Sequence, residues 1–352
     1  MTEARVGQSP SPSTASLAAF IDQVHLEANT IAESLGGWET RWAEIGGLAV
    51  RVRSAGIAAN AIAQAFRAVP EPANGIDASA LRLDFISTDD SVGTQPAPAW
   101  GWRQDYYSAD HLSCGFDGVR RVLTTIDESH GAAVAWFGTP VIAAWEYSAP
   151  ARAQLARLLF ARGATLLHAG AIGRDGAALV LPAPGGSGKS STVELALEHG
   201  FDTVGDDFLA ATATPVPSVS SIYQTLRLGR SSPRFRSDKH VVLDDGFQND
   251  KALVYLDKAH PGRLVDRQKI LAFVVPTLTG RLGSQIVSAS RMEVLRAMVP
   301  SSLFIALNRQ PAAMKALVDL TRTIPSYRFE LGTEPSGILD ALKGLLDELH
   351  PK

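Results

Sequence analysis

Ala177–Leu181 (AALVL) runs into Pro182-Ala183-Pro184-Gly185-Gly186-Ser187-Gly188-Lys189-Ser190-Ser191, and Thr192–His199 follows. The first piece is a short apolar run fit for a central strand. The last has helical character, with Val193, Ala196 and Leu197 able to share one face and Gly200 where a helix-ending glycine belongs. A strand, a glycine loop and a helix in that order predict a phosphate-binding loop. Glycines let backbone N–H groups wrap phosphate oxygens with no Cβ in the way, and the positive end of the helix points at the same place. Lys189 supplies a point charge to the outer phosphates, and the Ser190 hydroxyl is placed to ligate Mg²⁺. Gly185, Gly186, Ser187, Gly188, Lys189, Ser190 and Ser191 are therefore the expected nucleotide contacts. In the general pattern G-x-x-x-x-G-K-[ST] the first glycine is here Ala183.

Just beyond comes Phe201-Asp202-Thr203-Val204-Gly205-Asp206-Asp207-Phe208-Leu209. A short strand after the helix would bring Asp206 and Asp207 to the sheet edge beside the loop. One carboxylate there can hold Mg²⁺, with Ser190 the other ligand, and one can accept the proton of an attacking hydroxyl. The plain alternative is a solvated turn with two acids. His168 lies 21 residues before Lys189, on an expected neighbouring strand. It reads equally as a core histidine or as a catalytic or phosphate-contacting one.

The stretch Leu167 to Leu209 resembles the catalytic core of the bacterial HPr kinase/phosphorylase family. Its marks are a strand ending in His-Gly, a loop ending Gly-Lys-Ser, a helix ending in Gly and a strand ending in Asp-Asp. His168, Lys189, Ser190, Gly200, Asp206 and Asp207 match in type, and Ala169 stands where that family has glycine. The resemblance implies a kinase acting on serine of a small protein, with His168 and Lys189 in the active site. It further implies Ser190 on magnesium and Asp207 as base, with Asp206 beside it. Ile222–Leu228 (IYQTLRL) resembles the family's downstream stretch, placing Arg227 in its arginine position and Thr225 where a magnesium-holding glutamate stands. The N-terminal half does not resemble the family's own. Phosphoenolpyruvate carboxykinases share this core architecture.

The rest of the 352 residues is organised around that core. Residues 1–16 are polar and read as disordered. Residues 17–147 read as an α+β domain, with a helix at Leu17–Leu35, strands around Leu48–Val52 and Leu81–Phe85, and a hairpin of Arg121–Thr125 with Ala132–Phe137. All six tryptophans fall in it, as core filler or as a docking face. Residues 148–352 read as the α/β catalytic domain. It opens with a joining helix at Ser148–Gly163 and closes with helices at Met292–Met298, Pro311–Arg322 and Ser336–Leu349. The basic segment Arg227–Lys239 reads as a loop, either a lid bearing a transition-state arginine or an ordinary solvated loop.

Composition agrees with a globular chain of 45% apolar and 20% charged residues. With 33 basic and 36 acidic residues, nothing points to nucleic acid or a membrane. The single Cys114 excludes an internal disulfide and suits a reducing cytoplasm. The combined expectation is an α/β P-loop kinase core behind an α+β N-terminal domain, using ATP and Mg²⁺ to phosphorylate serine on a small protein or peptide, with homo-oligomerisation open. The alternatives are a small-molecule kinase and a nucleotide-binding module without catalysis.

Overall fold

The structure, a computed structural model, describes residues 12–73, 80–89, 91–102, 106–242, 250–306 and 309–350. Helix α1 (Thr14–Ser34) begins inside the stretch read as disordered, because the Ser13 side chain caps it by accepting from the Ser16 N–H. Residues 1–11 lie outside the described ones. The buried face of α1 is Leu17, Phe20, Ile21, Val24, Ala28 and Ala32, the spacing of an amphipathic helix.

The elements that follow are β1 (Glu39–Ile45), β2 (Leu48–Ala55), α2 (Ile57–Ala63), β3 (Leu81–Ser87), β4 (Tyr106–Ala109), β5 (Leu112–Asp117), β6 (Val122–Asp127) and β7 (Ala132–Phe137). They form one sheet in the order β1-β2-β3-β7-β6-β5-β4. The expected hairpin is present as antiparallel β6 and β7, and β2, β3 and β7 run parallel at the centre. Trp136 is fully buried, while Trp100 and Trp102 pack edge-on against Phe20 of α1. Most of the aromatic weight is thus core filler.

A short α3 (Ala144–Ser148) precedes the joining helix expected at Ser148–Gly163, which starts only at Arg152, as α4 (Arg152–Phe160). Pro150 and the left-handed Ala151 (φ 53°) break it, since proline cannot continue the hydrogen-bond ladder. Then come β8 (Thr165–Leu167), β9 (Ala169–Arg174), β10 (Ala177–Pro182), α5 (Lys189–Glu198), β11 (Leu209–Thr212), β12 (Ser218–Ser220), β13 (Thr225–Gly229), β14 (Val241–Val242), β15 (Lys251–Tyr255) and α6 (Leu256–Ala259). The chain ends with β16 (Arg267–Leu278), β17 (Gln285–Ser288), α7 (Arg291–Phe304), α8 (Gln310–Leu320), β18 (Ser326–Leu331) and α9 (Pro335–Leu349).

The long strand β16 organises this half. It pairs parallel with β10 and with β18, and antiparallel with β12. Being covered on both faces, it reads as the apolar run Ile270–Val275. Helices α5 and α9 pack against one side through Val193, Leu197, Leu342 and Leu346, and α7 and α8 against the other through Val294, Met298 and Leu317. Helix α7 runs six residues past its expected end and through Pro300. A small separate sheet, β13-β15-β14, stands over the loop before α5.

One apolar cluster runs from Ala43, Val52 and Phe85 of the first sheet through Leu155 and Leu159 of α4 to Ala210, Tyr223 and Ile305. The Gln224 amide adds hydrogen bonds to the Gln64 carbonyl and, through its backbone N–H, to that of Ala65. The two halves therefore share a core.

Candidate active site

Strand β10 ends at Pro182 and α5 starts at Lys189, so six residues make the turn between them. Gly188 is the helix N-cap at φ 89° and Gly186 stands at φ 81°, where a side chain would be strained. Around Gly185 and Gly186 the space a Cβ would take is open. Ala183 is fully buried and is not left-handed, so the methyl in place of the first motif glycine fits. The Ser187 hydroxyl is buried in the loop with no hydrogen-bond partner. An unpartnered hydroxyl, open glycine backbone and a helix start thus stand together at this turn.

Lys189 crosses from the helix start to the acidic pair. Its Nζ donates to Asp206 Oδ1 at 2.8 Å and lies 3.5 Å from Asp207 Oδ1. The Ser190 hydroxyl donates to the other Asp206 oxygen at 2.6 Å. Asp206 has no side-chain exposure and Lys189 only 5%. Gly170 of β9 makes room for this: a Cβ there would lie 2.8 Å from Asp206 Oδ1 and 3.0 Å from Val193.

The acids come from a turn rather than the end of a regular strand. Only isolated bridges, Gly173 with Asp202 and Thr203 with Leu264, precede it. Asp207 itself has φ 71°, a left-handed conformation uncommon outside glycine, held by its carbonyl accepting from the Ala169 N–H. His168 stands in the gap between β8 and β9 rather than inside a strand. Its Nε2 is 3.4 Å from Asp207 Oδ1, its ring packs 5.1 Å from that of Phe208, and its Nδ1 is buried without a partner. The His168 backbone N–H donates to the Ser302 hydroxyl, a contact that requires α7 to continue past Pro300.

Electrostatics lock the cluster. Burial alone would discharge Lys189, but Asp206 and Asp207 outweigh it and raise its pKa above the ordinary value. Burial would likewise push the Asp207 carboxyl up. The Lys189 charge, the His168 hydrogen bond and the Arg227 charge overcome that and hold it well below the usual carboxylate range.

The cleft in front of these groups has a volume of about 580 Å³ and is lined by the glycine loop, His168, Asp207 and residues of the small sheet. Arg227 is on β13, so the basic segment starts on a strand and loops only afterwards. Lys251 of β15 lines the same cleft, since Gly229 is its register partner. Sequence reasoning passed Lys251 over, because only the pairing of β13 with β15 carries it there. Thr225 is not among the residues that line the cleft, and its buried hydroxyl donates to the Ser148 carbonyl at 2.5 Å. Among the described residues, no group of three His, Cys, Asp or Glu side chains could hold a metal ion. Any cation here would depend on Ser190 and Asp206 together with oxygens of a bound anion. Among the described residues, too, no helix is long and apolar enough to cross a membrane.

Comparison with known proteins gives little beyond this geometry. No protein-family model matches the chain, and no curated protein matches it. Among solved structures it is similar to the HPr(Ser) kinase/phosphatase from Coxiella burnetii, at 12% identity and a TM-score of 0.28, over 51% of this chain and 95% of that one.

Proposed function

We propose that this chain is an ATP- and Mg²⁺-dependent kinase that transfers the terminal phosphoryl group to a serine hydroxyl of a small protein or peptide. One observation carries the reading. At the end of a glycine loop, a buried lysine is held by two carboxylates, one of which meets a histidine.

Gly185, Gly186, Ser187 and Gly188 would cradle the triphosphate, with Lys189 on its outer oxygens and Ser191 in the first helical turn. Ser190 and Asp206 would hold Mg²⁺, which neutralises charge on the phosphates when bound. Asp207 accepts the proton of the acceptor hydroxyl. The new oxygen–phosphorus bond forms as the bond to the β-phosphate oxygen breaks, and ADP leaves with that electron pair. Lys189, which sits against Asp207, holds its carboxyl well below the usual carboxylate range. Phosphate oxygens that compete for Lys189 remove that charge and raise Asp207 toward a working range. His168 orients the Asp207 carboxylate, and Arg227 offsets charge in front of it.

A second reading, a small-molecule acceptor, is favoured by the cleft lining, which among the described residues starts at His168 and draws on none of the first sheet. Incubation with γ-labelled ATP, Mg²⁺, candidate peptides and small hydroxylated metabolites separates the two. Label on a serine with the wild type and about a hundredfold or greater loss in Asp207→Asn supports the proposal. Full transfer by Lys189→Ala would sink it.

A further inference from the structure

The glycine loop follows β10, and β10 has a different neighbour on each edge. On one edge is β9. There the Ala169 N–H holds the Asp207 carbonyl, and His168, just before β9, meets the Asp207 carboxylate. On the other edge β16 runs parallel to β10, and β18 runs parallel to β16. The acid and the histidine therefore stand on one side of the loop. On the other side lie the carboxyl ends of β16 and β18, the place where an open parallel sheet takes its ligands.

That second side is apolar. Leu278 ends β16, Leu331 ends β18, and the two are register partners, so they stand side by side. Both reach the last glycine of the loop. A Cβ on Gly188 would lie 3.0 Å from Leu331 Cδ1 and 3.2 Å from Leu278 Cδ2. The first turn of α9 adds Pro335, exposed, and Ile338, half-buried, to the lining of the same cleft. Leu278 is 61% exposed. Apolar surface is thus gathered in one concavity, the lining that small-molecule sites use, and is not a lone surface leucine. The platform is also preformed. The Thr279 N–H and hydroxyl both donate to the Leu331 carbonyl, at 3.0 and 2.8 Å, and the Gly332 N–H donates to Ser284 Oγ at 2.9 Å. Gly332 lets these two turns approach, since a Cβ there would lie 2.3 Å from the Leu282 carbonyl oxygen.

We propose that Leu278, Leu331, Pro335 and Ile338 form the slot for the base of the bound nucleotide. This deepens the function proposed above and rests on it. A nucleobase is planar, apolar on both faces and tethered to a phosphate chain. The slot is apolar and touches the glycine loop at Gly188, so one molecule can fill both. The arrangement fixes the direction of the nucleotide. Its base lies over the ends of β16 and β18, its phosphates lie along the loop, and its terminal phosphoryl group points to Asp207 on the β9 side. The acceptor hydroxyl then enters from the His168 side, and the apolar end of the cleft is closed to it by the base.

Equilibrium binding to the full chain with Mg²⁺ compares ATP with methyl triphosphate, which keeps the three phosphates and has no base. The wild type should bind ATP at least about tenfold more tightly. Leu278→Gln, a change at an exposed side chain, should shrink that gap about threefold or more and leave methyl triphosphate affinity unchanged. Equal wild-type affinities, or a variant that keeps the whole gap, overturn the slot while the phosphate site stands. Photolabelling of the wild type with 8-azido-ATP reads the same slot without any substitution. Cross-links within 278–284 or 331–338 support it, and cross-links confined to other segments overturn it. Binding of neither ligand removes the proposed function and the slot with it.

Discussion

Replacing Lys189 with Met keeps the length and apolar stem of the side chain and removes its charge. Asp206, with no exposed side-chain surface, loses a 2.8 Å partner, and Asp207 loses the charge that contributes most to its acidity. Breaking a buried ion pair from one side costs about 3–5 kcal/mol, because a charge is left behind in a low-dielectric place. Ser190 still donates to Asp206, and His168 still meets Asp207, so the lower end of that range is expected. The loss depends on pH. In the wild type the Asp207 pKa is depressed, so its contribution is present above about pH 3.8 and fades as pH falls toward the folded value. In Lys189→Met the largest of the charges holding that pKa down is gone, so burial meets less opposition, the pKa rises from its wild-type position and protonation relieves part of the strain. Urea unfolding of both proteins between about pH 4 and pH 8 should show a gap of about 3 kcal/mol near neutrality that narrows toward acid. A gap below about 1 kcal/mol, or one independent of pH, would refute the account of Lys189 as the shared counter-charge.

Three further outcomes follow from single contacts. Gly170→Ala puts a methyl 2.8 Å from Asp206 Oδ1, so a stability loss of about 1–3 kcal/mol should appear in thermal unfolding. Asp207→Ala should be about 1 kcal/mol less stable than Asp207→Asn, since asparagine tolerates φ 71° and alanine does not; calorimetry of the two variants checks this. Arg157 is 2% exposed and joins Glu128 to the Tyr106 hydroxyl. Arg157→Met should lose about 3 kcal/mol by leaving Glu128 with only the half-exposed Arg309, again read by denaturant unfolding.

Local chemistry was legible where neighbours in sequence are neighbours in space. The glycine loop between a five-residue apolar strand and a helix is such a case, and so are the β6–β7 hairpin and the stripe of α9. Legibility failed where a distant partner overrode a local rule. Pro300 does not end α7, because Leu303 packs on the core beyond it and Ser302 is held at His168. The helix expected from Ser148 breaks at Pro150, whose carbonyl accepts from the buried Tyr223 hydroxyl at 2.6 Å. Thr225 looked like a substitution at a metal-ligand position, yet its hydroxyl is taken by Ser148, and Lys251 reaches the cleft only through strand pairing.

By itself, then, the sequence determined the glycine turn from Gly185 to Ser191 and the identity of the charged groups that gather beside it: the Asp206–Asp207 pair and His168. These depend on backbone freedom, helix polarity and residue type within about forty residues of chain. The tertiary structure alone decided which charges meet. It set Lys189 between both carboxylates, His168 against Asp207, and Glu194 of α5 between His240 and His260. The reason is range. Periodicity and turn chemistry act over a few residues, whereas a buried charge takes its partner from whatever element the fold of the sheets brings within about 4 Å.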